Sequence, residues 1–146
     1  MSLDYQTILV AVDGSTESEL ALQKAITLAV KEEAKLIISY IIDIRTYASI
    51  EHYDPTLTEQ AEKFGVNLLK KYQKDATDAG VFDVETVLDH GSAKVKIPKD
   101  IATKFNVDLI IAGATGINAV ERILIGSVSE NIARRAKCDV LIVRKQ

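Results

Sequence analysis

Five short runs rich in apolar residues recur along the chain and predict five β-strands. Four of them are nearly continuous: Thr7–Val12, Leu36–Ile42, Val107–Ala112 and Val140–Val143. Continuous hydrophobicity is typical of a strand that is covered on both faces. The fifth run, Val84–Leu88, is interrupted by the polar residues Glu85 and Thr86. This interruption favours a place at the edge of the sheet.

The segments between these runs show apolar residues at helical spacing. Four helices are predicted: one that starts at Ser15 or at the capping box Thr16–Glu19, then Thr56–Ala79, Lys96–Phe105 and Ser127–Lys137. Gly80 is a suitable C-cap for the second helix. Pro98 is compatible with a helix only near its first turn, so the third helix is predicted to start late.

Strands that alternate with helices predict right-handed βαβ units and one parallel sheet with helices on both faces. Without a linker, an internal repeat or a low-complexity segment, residues 1–146 form a single predicted domain. Ligands of such sheets bind at the carboxyl ends of the strands, where the winding direction reverses. The loops that follow the strands are therefore expected to carry the functional residues.

The clearest candidate is the glycine pattern after the fourth strand. Two residues separate Gly113 from Gly116, nine more precede Gly126, and Ser127 follows directly. Gly116 permits a positive φ or a close approach of a ligand to bare backbone. A helix that starts at Gly126 offers free N–H groups to an anion, and Ser127 and Ser129 can add hydroxyl donors. The pattern describes a phosphate cradle, although turns and a helix cap alone would use the same residues.

At these residues the chain resembles the universal stress protein family, whose ATP-binding branch has this glycine and serine pattern. The opening segment Ile8–Ser15 and the closing segment Cys138–Arg144 are similar to the two ends of that family. The resemblance covers nearly the whole chain. It implies a three-layer, Rossmann-like α/β sandwich with a five-stranded parallel sheet in the order 3-2-1-4-5. The switch point would then lie between strands one and four.

The resemblance also implies a site for ATP, ADP or AMP, with magnesium. The backbone of Ile41 would hold the adenine edge, and Ala11 and Val12 would line the base pocket. Asp13 would bind the ribose or help place the metal ion, although an Asp beside Gly14 is also a common turn residue. Ribose and phosphates would contact a set of seven residues: Gly113, Thr115, Gly116, Gly126, Ser127, Val128 and Ser129.

A homodimer is the expected assembly. The strand Val140–Val143 is predicted to lie at a sheet edge, and an apolar edge is normally paired or protected. The resemblance implies that two such strands pair in antiparallel fashion across a twofold axis. It also implies an unidentified protein partner in the stress response.

Composition excludes several other classes. Lys and Arg number 18 against 21 Asp and Glu, and they are scattered, which argues against a nucleic-acid surface. One cysteine, Cys138, and two histidines are too few for a structural zinc site. No apolar run approaches the roughly 20 residues of a membrane span, and no signal peptide is visible, so the cytoplasm is the expected location. His90 follows a strand, where a lone exposed histidine is more often solvated than functional.

Three functions fit these features. The first is an ATP-binding regulatory protein that acts through nucleotide occupancy and partner contacts. The second is a slow ATP hydrolase, but no lysine follows the glycine loop and Arg122 lies inside the loop without a defined aim, so no catalytic residue is assigned. The third is a nucleotide-free dimerisation module, which the complete glycine pattern argues against. A phosphorelay receiver is more remote, because only fragments of its acidic and lysine set are present.

Overall fold

The computed structural model describes residues 5–43, 55–115 and 125–145. The strands are β1 (Thr7–Ala11), β2 (Lys35–Ile42), β3 (Val84–His90), β4 (Leu109–Gly113) and β5 (Asp139–Val143). The helices are α1 (Thr16–Glu32), α2 (Pro55–Ala79), α3 (Ala93–Val95), a π-helical segment (Lys96–Ile101), α4 (Ala102–Lys104) and α5 (Ser127–Arg135).

The five strands form one parallel sheet in the order β3-β2-β1-β4-β5. This order confirms the predicted topology. β3 lies at one edge, and all seven of its residues are half-buried, which explains why this strand carries polar residues. β1 lies in the centre, where the chain winds first toward β2 and later toward β4. The switch point therefore falls between β1 and β4, as expected.

Two hydrophobic cores cover the two faces of the sheet. Successive side chains of β1 point to opposite faces, so Ile8 and Val10 pack beneath α1 and α2 while Leu9 packs beneath the π-helical segment and α5. All three side chains are fully buried. This double coverage is the physical reason for the unbroken apolar runs.

Ser15 is the residue that starts α1. Its backbone is extended, and its Oγ accepts a hydrogen bond from the N–H of Ser18 at 3.2 Å. Of the two starts that the sequence allowed, the structure therefore selects Ser15 as the N-cap and Thr16 as the first helical residue.

The third helical stretch corrects the sequence-based prediction. It begins at Ala93 rather than near Lys96, so Pro98 lies well inside it. Proline has no N–H for the regular helical bond, and its ring clashes with the preceding turn. The wider π-helical segment accommodates Pro98 there without ending the helix. Pro98 is itself buried, so packing on the sheet holds this irregular turn in place.

Candidate functional site

A crevice opens at the carboxyl end of β1 because the strands on both sides extend further. Ala11, the last residue of β1, pairs with Ser39, and β2 continues to Ile42. On the other side Val10 pairs with Ile111, and β4 continues to Gly113. Asp13 and the beginning of the glycine loop therefore lie on opposite sides of the switch point.

The backbone of Ile41 is oriented toward this crevice. The N–H of Val12 donates to the carbonyl of Ser39 at 2.9 Å, so the polar backbone groups of Ser39 face β1. Every second residue of a strand directs its N–H and C=O toward the same neighbouring strand. Ile41 is two residues after Ser39, so its N–H and C=O point past the end of β1. The carbonyl of Ile42 instead accepts from Gly91 on the β3 side. Ile41 thus presents one donor and one acceptor to the crevice.

The two residues predicted to line a base pocket differ in their placement. Ala11 is half-buried, on the same side of the sheet as Ile41. The side chain of Val12 is only 5% exposed and belongs to the core beneath α1 and α2. The side chain of Val12 is therefore committed to core packing, whereas that of Ala11 is partly exposed on the opposite face of the sheet.

Asp13 forms the turn that leads from β1 into α1. Its Oδ1 accepts from the N–H of Ser15 at 2.9 Å, and its own N–H donates to the Oγ of Ser18 at 3.2 Å. Gly14, which lies between Asp13 and Ser15, has a φ of 86°, a conformation that glycine adopts without strain. The turn role of Asp13 is thus present in the structure, and it fixes the carboxylate at the mouth of the crevice.

Gly113 allows the end of β4 to approach the first turn of α1. A Cβ at this position would lie 2.9 Å from the carbonyl carbon of Glu17 and 3.0 Å from its oxygen. These are backbone atoms, which cannot move aside as a side chain can. Close packing against α1 therefore requires glycine at position 113, independently of any contact with a ligand.

Glu17 is a residue of this region that the sequence did not single out. Its carboxylate accepts a hydrogen bond from the N–H of Thr115 at 2.7 Å. An acid in the first turn of a helix ordinarily complements the helix dipole, and that role gives no reason to expect a contact with the glycine loop. To predict the contact between Glu17 and Thr115, one needs the distance between α1 and the glycine loop, which only the fold provides.

Ala114 joins the two ends of the glycine loop. Its carbonyl accepts from the N–H of Gly126 and from the Oγ of Ser129, the latter at 2.8 Å. Its N–H donates to the carbonyl of Val143 at 2.8 Å, which ties the loop to β5. Ser129 is 3% exposed, and its hydroxyl bonds within the protein. Gly116 and Arg122 lie outside the described residues.

The start of α5 lies beside this junction. Gly126, in an extended conformation, is the N-cap, and Ser127 is the first helical residue. Ser127 therefore does not cap this helix. Ser127 and Val128 are both exposed. With glycine at the cap and no side-chain cap bond, the first turn of α5 is exposed to solvent at these two positions.

His90 is not brought to the crevice. It lies at the end of the edge strand β3, and its Nε2 is 2.9 Å from the Oε1 of Glu62 on α2. The side chain is 34% exposed, so the expectation of a solvated, isolated histidine is wrong. Cys138 is half-buried, and burial raises the pKa of its thiol, which makes the thiol less reactive.

Neither a metal-binding cluster nor a membrane-spanning helix is present among the described residues. Within residues 5–43, 55–115 and 125–145, no three His, Cys, Asp or Glu side chains are placed to hold a metal ion. None of the helices in those ranges is both long enough and apolar enough to cross a membrane.

The fold and the crevice define a three-layer, Rossmann-like α/β protein. The sequence profile of the universal stress protein family matches residues 4–144. A protein of Staphylococcus haemolyticus named as a universal stress protein is 54% identical over 144 residues, which cover 99% of this chain and 87% of the relative. A protein of Staphylococcus aureus strain USA300 with the same type of name is 51% identical over the same shares. The chain belongs to the universal stress protein family.

Solved structures agree with this assignment. Protein MJ0577 superposes with a TM-score of 0.87 at 29% identity and 98% coverage of both chains. Universal stress protein UspA from Lactobacillus plantarum gives a TM-score of 0.84 at 28% identity, with 96% of this chain and 98% of that one covered. A universal stress protein in complex with cAMP gives 0.72 at 29% identity, with 98% and 99% covered.

Proposed function

We propose that this universal stress protein binds an adenine nucleotide at the switch-point crevice and acts in the stress response through nucleotide-dependent contacts with a protein partner. The base would lie against the backbone of Ile41, above Ala11. The ribose and phosphates would extend past Asp13 toward the glycine loop and the first turn of α5. Magnesium would accompany the phosphates near Asp13.

The orientation of Ile41 is the observation that carries the proposal. One edge of adenine combines an acceptor, N1, with a donor, the 6-amino group. A backbone N–H and C=O side by side complement that edge, and Ile41 directs both past the end of β1. The exposed first turn of α5 supports the phosphate end, because helix N-termini favour anions.

A structural relative supports the class of ligand. The universal stress protein that superposes with a TM-score of 0.72 is in complex with cAMP, an adenine nucleotide. Because it is 29% identical over nearly all of both chains, its ligand supports an adenine nucleotide as the class of ligand here. The cytoplasmic location and the homodimer remain predictions.

Isothermal titration of the purified protein with ATP and magnesium tests the proposal. We expect a dissociation constant on the order of micromolar, about −8 kcal/mol of binding free energy. Gly116→Val should weaken binding at least about tenfold by blocking the approach of the phosphates to the backbone. Ala79→Val adds the same side chain at the exposed end of α2, at the opposite end of the sheet, and should leave binding unchanged.

The alternatives give different outcomes in the same samples. A hydrolase would release ADP from ATP and magnesium, and a turnover well above about 1 per second would place hydrolysis ahead of regulatory binding. A nucleotide-free dimerisation module would bind neither ATP nor cAMP. Full affinity in the folded Gly116→Val protein would contradict the cradle, and mass spectrometry of nucleotide released from denatured protein would identify the cellular ligand.

A further inference from the structure

The amide of Thr115 is already bound to an anion that belongs to the protein. The Glu17 carboxylate accepts its N–H at 2.7 Å, a short, charge-assisted hydrogen bond. Thr115 lies in the glycine loop, two residues after the end of β4. Backbone amides of such loops are the groups that a phosphate cradle offers to its ligand.

Close packing fixes Glu17 in this position. Its backbone lies against Gly113, where even a Cβ would be only 2.9 Å away, so the carboxylate is held next to the loop. Glu19, the other acid in the first turn of α1, accepts instead from the hydroxyl of Tyr72 on α2 at 3.1 Å. The two acids therefore share one helix turn but contact different parts of the molecule.

We propose that Glu17 is an intramolecular anion that occupies one amide of the phosphate cradle and thereby lowers affinity for polyphosphates relative to singly charged adenine nucleotides. This inference rests on the proposed function. A triphosphate that takes the Thr115 amide must first displace the carboxylate, and afterwards it remains close to a like charge. A ligand such as cAMP, with a single negative charge, avoids most of this repulsion.

Titration of Glu17→Gln with ATP and with cAMP tests the proposal. Removing one charge near a partly exposed polyphosphate should tighten ATP binding about tenfold and cAMP binding less than about twofold. Glu19→Gln removes the same charge from the same helix turn without touching Thr115, and both affinities should stay at their wild-type values. An ATP affinity in Glu17→Gln that is equal to or weaker than that of the wild type would overturn the proposal.

A second measurement separates the role of Glu17 from nucleotide binding itself. Inorganic tripolyphosphate has neither base nor ribose, and its binding can be followed by the NMR signal of the Thr115 amide. We expect that signal to move at lower tripolyphosphate concentration in Glu17→Gln than in the wild type or Glu19→Gln. Equal titrations in all three proteins would refute a role for Glu17. If nucleotides fail to bind but this difference appears, the proposed function fails and the Glu17 assignment stands.

Discussion

At the scale of single residues, the start of the glycine loop is shaped by contacts with α1. Gly113 touches the backbone of Glu17, and the side chain of Glu17 reaches the next amide but one, that of Thr115. Ala114 between them is 2% exposed and closes the loop through its carbonyl. Glycine at position 113 thus has a packing role here in addition to any role toward a ligand.

The packing role of Gly113 predicts a loss of stability for Gly113→Ala. The new methyl group would lie 2.9 Å from the carbonyl carbon of Glu17, so α1 must shift. Overpacking of this kind costs about 1–3 kcal/mol in the free energy of unfolding. Urea denaturation followed by circular dichroism measures the change. An unchanged transition midpoint would show that the helix moves aside without cost.

At the scale of elements, α1 and α2 are connected on one face of the sheet by Tyr72. This side chain is 2% exposed, and its hydroxyl donates to Glu19 at 3.1 Å. Burial, and then the negative charge of Glu19, raise the pKa of Tyr72 above its ordinary value of 10.0. The helix pair is therefore built around a phenol that stays protonated in the folded state.

This raised pKa predicts a loss of stability at alkaline pH. The unfolded chain releases the phenol proton near pH 10.0 whereas the folded protein retains it, so the stabilisation is complete below that pH and declines above it. Urea denaturation at a series of pH values below and above 10.0 should show that the free energy of unfolding falls above pH 10.0. Tyr72→Phe should reduce the decline and lower neutral-pH stability by about 1 kcal/mol.

Tyr5→Phe is the matched control for that substitution. It removes a hydroxyl that donates to Asp139 at an exposed position. Because Tyr72 is intact in this protein, the alkaline decline should persist. The same decline in Tyr72→Phe as in the wild type would assign it to other groups.

At the scale of the whole molecule, the sheet has two different edges. β3 contains the polar residues Glu85, Thr86, Asp89 and His90, whereas β5 carries Val140, Leu141 and Ile142 in succession. These three residues are half-buried in the single chain. An apolar edge strand is a template for pairing, and a second copy of this chain would cover it.

We therefore expect Leu141→Asp to release monomers from a wild-type dimer in analytical sedimentation. A buried charge at the pairing strand is not compensated by a partner, so association should be lost. Thr86→Asp places the same charge in the other edge strand and should leave the dimer intact. A folded Leu141→Asp protein that sediments as a dimer would exclude β5 as the interface.

The local patterns of the sequence were sufficient for most of the architecture. Continuous apolar runs identified β1, β2, β4 and β5, because each position of a doubly covered strand must be apolar. The polar residues within its apolar run identified β3 as an edge strand. The glycine pattern located the loop between β4 and α5, and the family assignment followed from it together with the two ends of the chain.

Contacts between distant segments were beyond the sequence and were decided by the tertiary structure. The bond from Thr115 to Glu17 joins residues 98 positions apart, and that from His90 to Glu62 joins residues 28 apart. The π-helical turn at Pro98 depends on burial against the sheet. Propensity and periodicity describe each segment alone, whereas these features depend on how closely two segments approach, a distance that packing sets only in the folded chain.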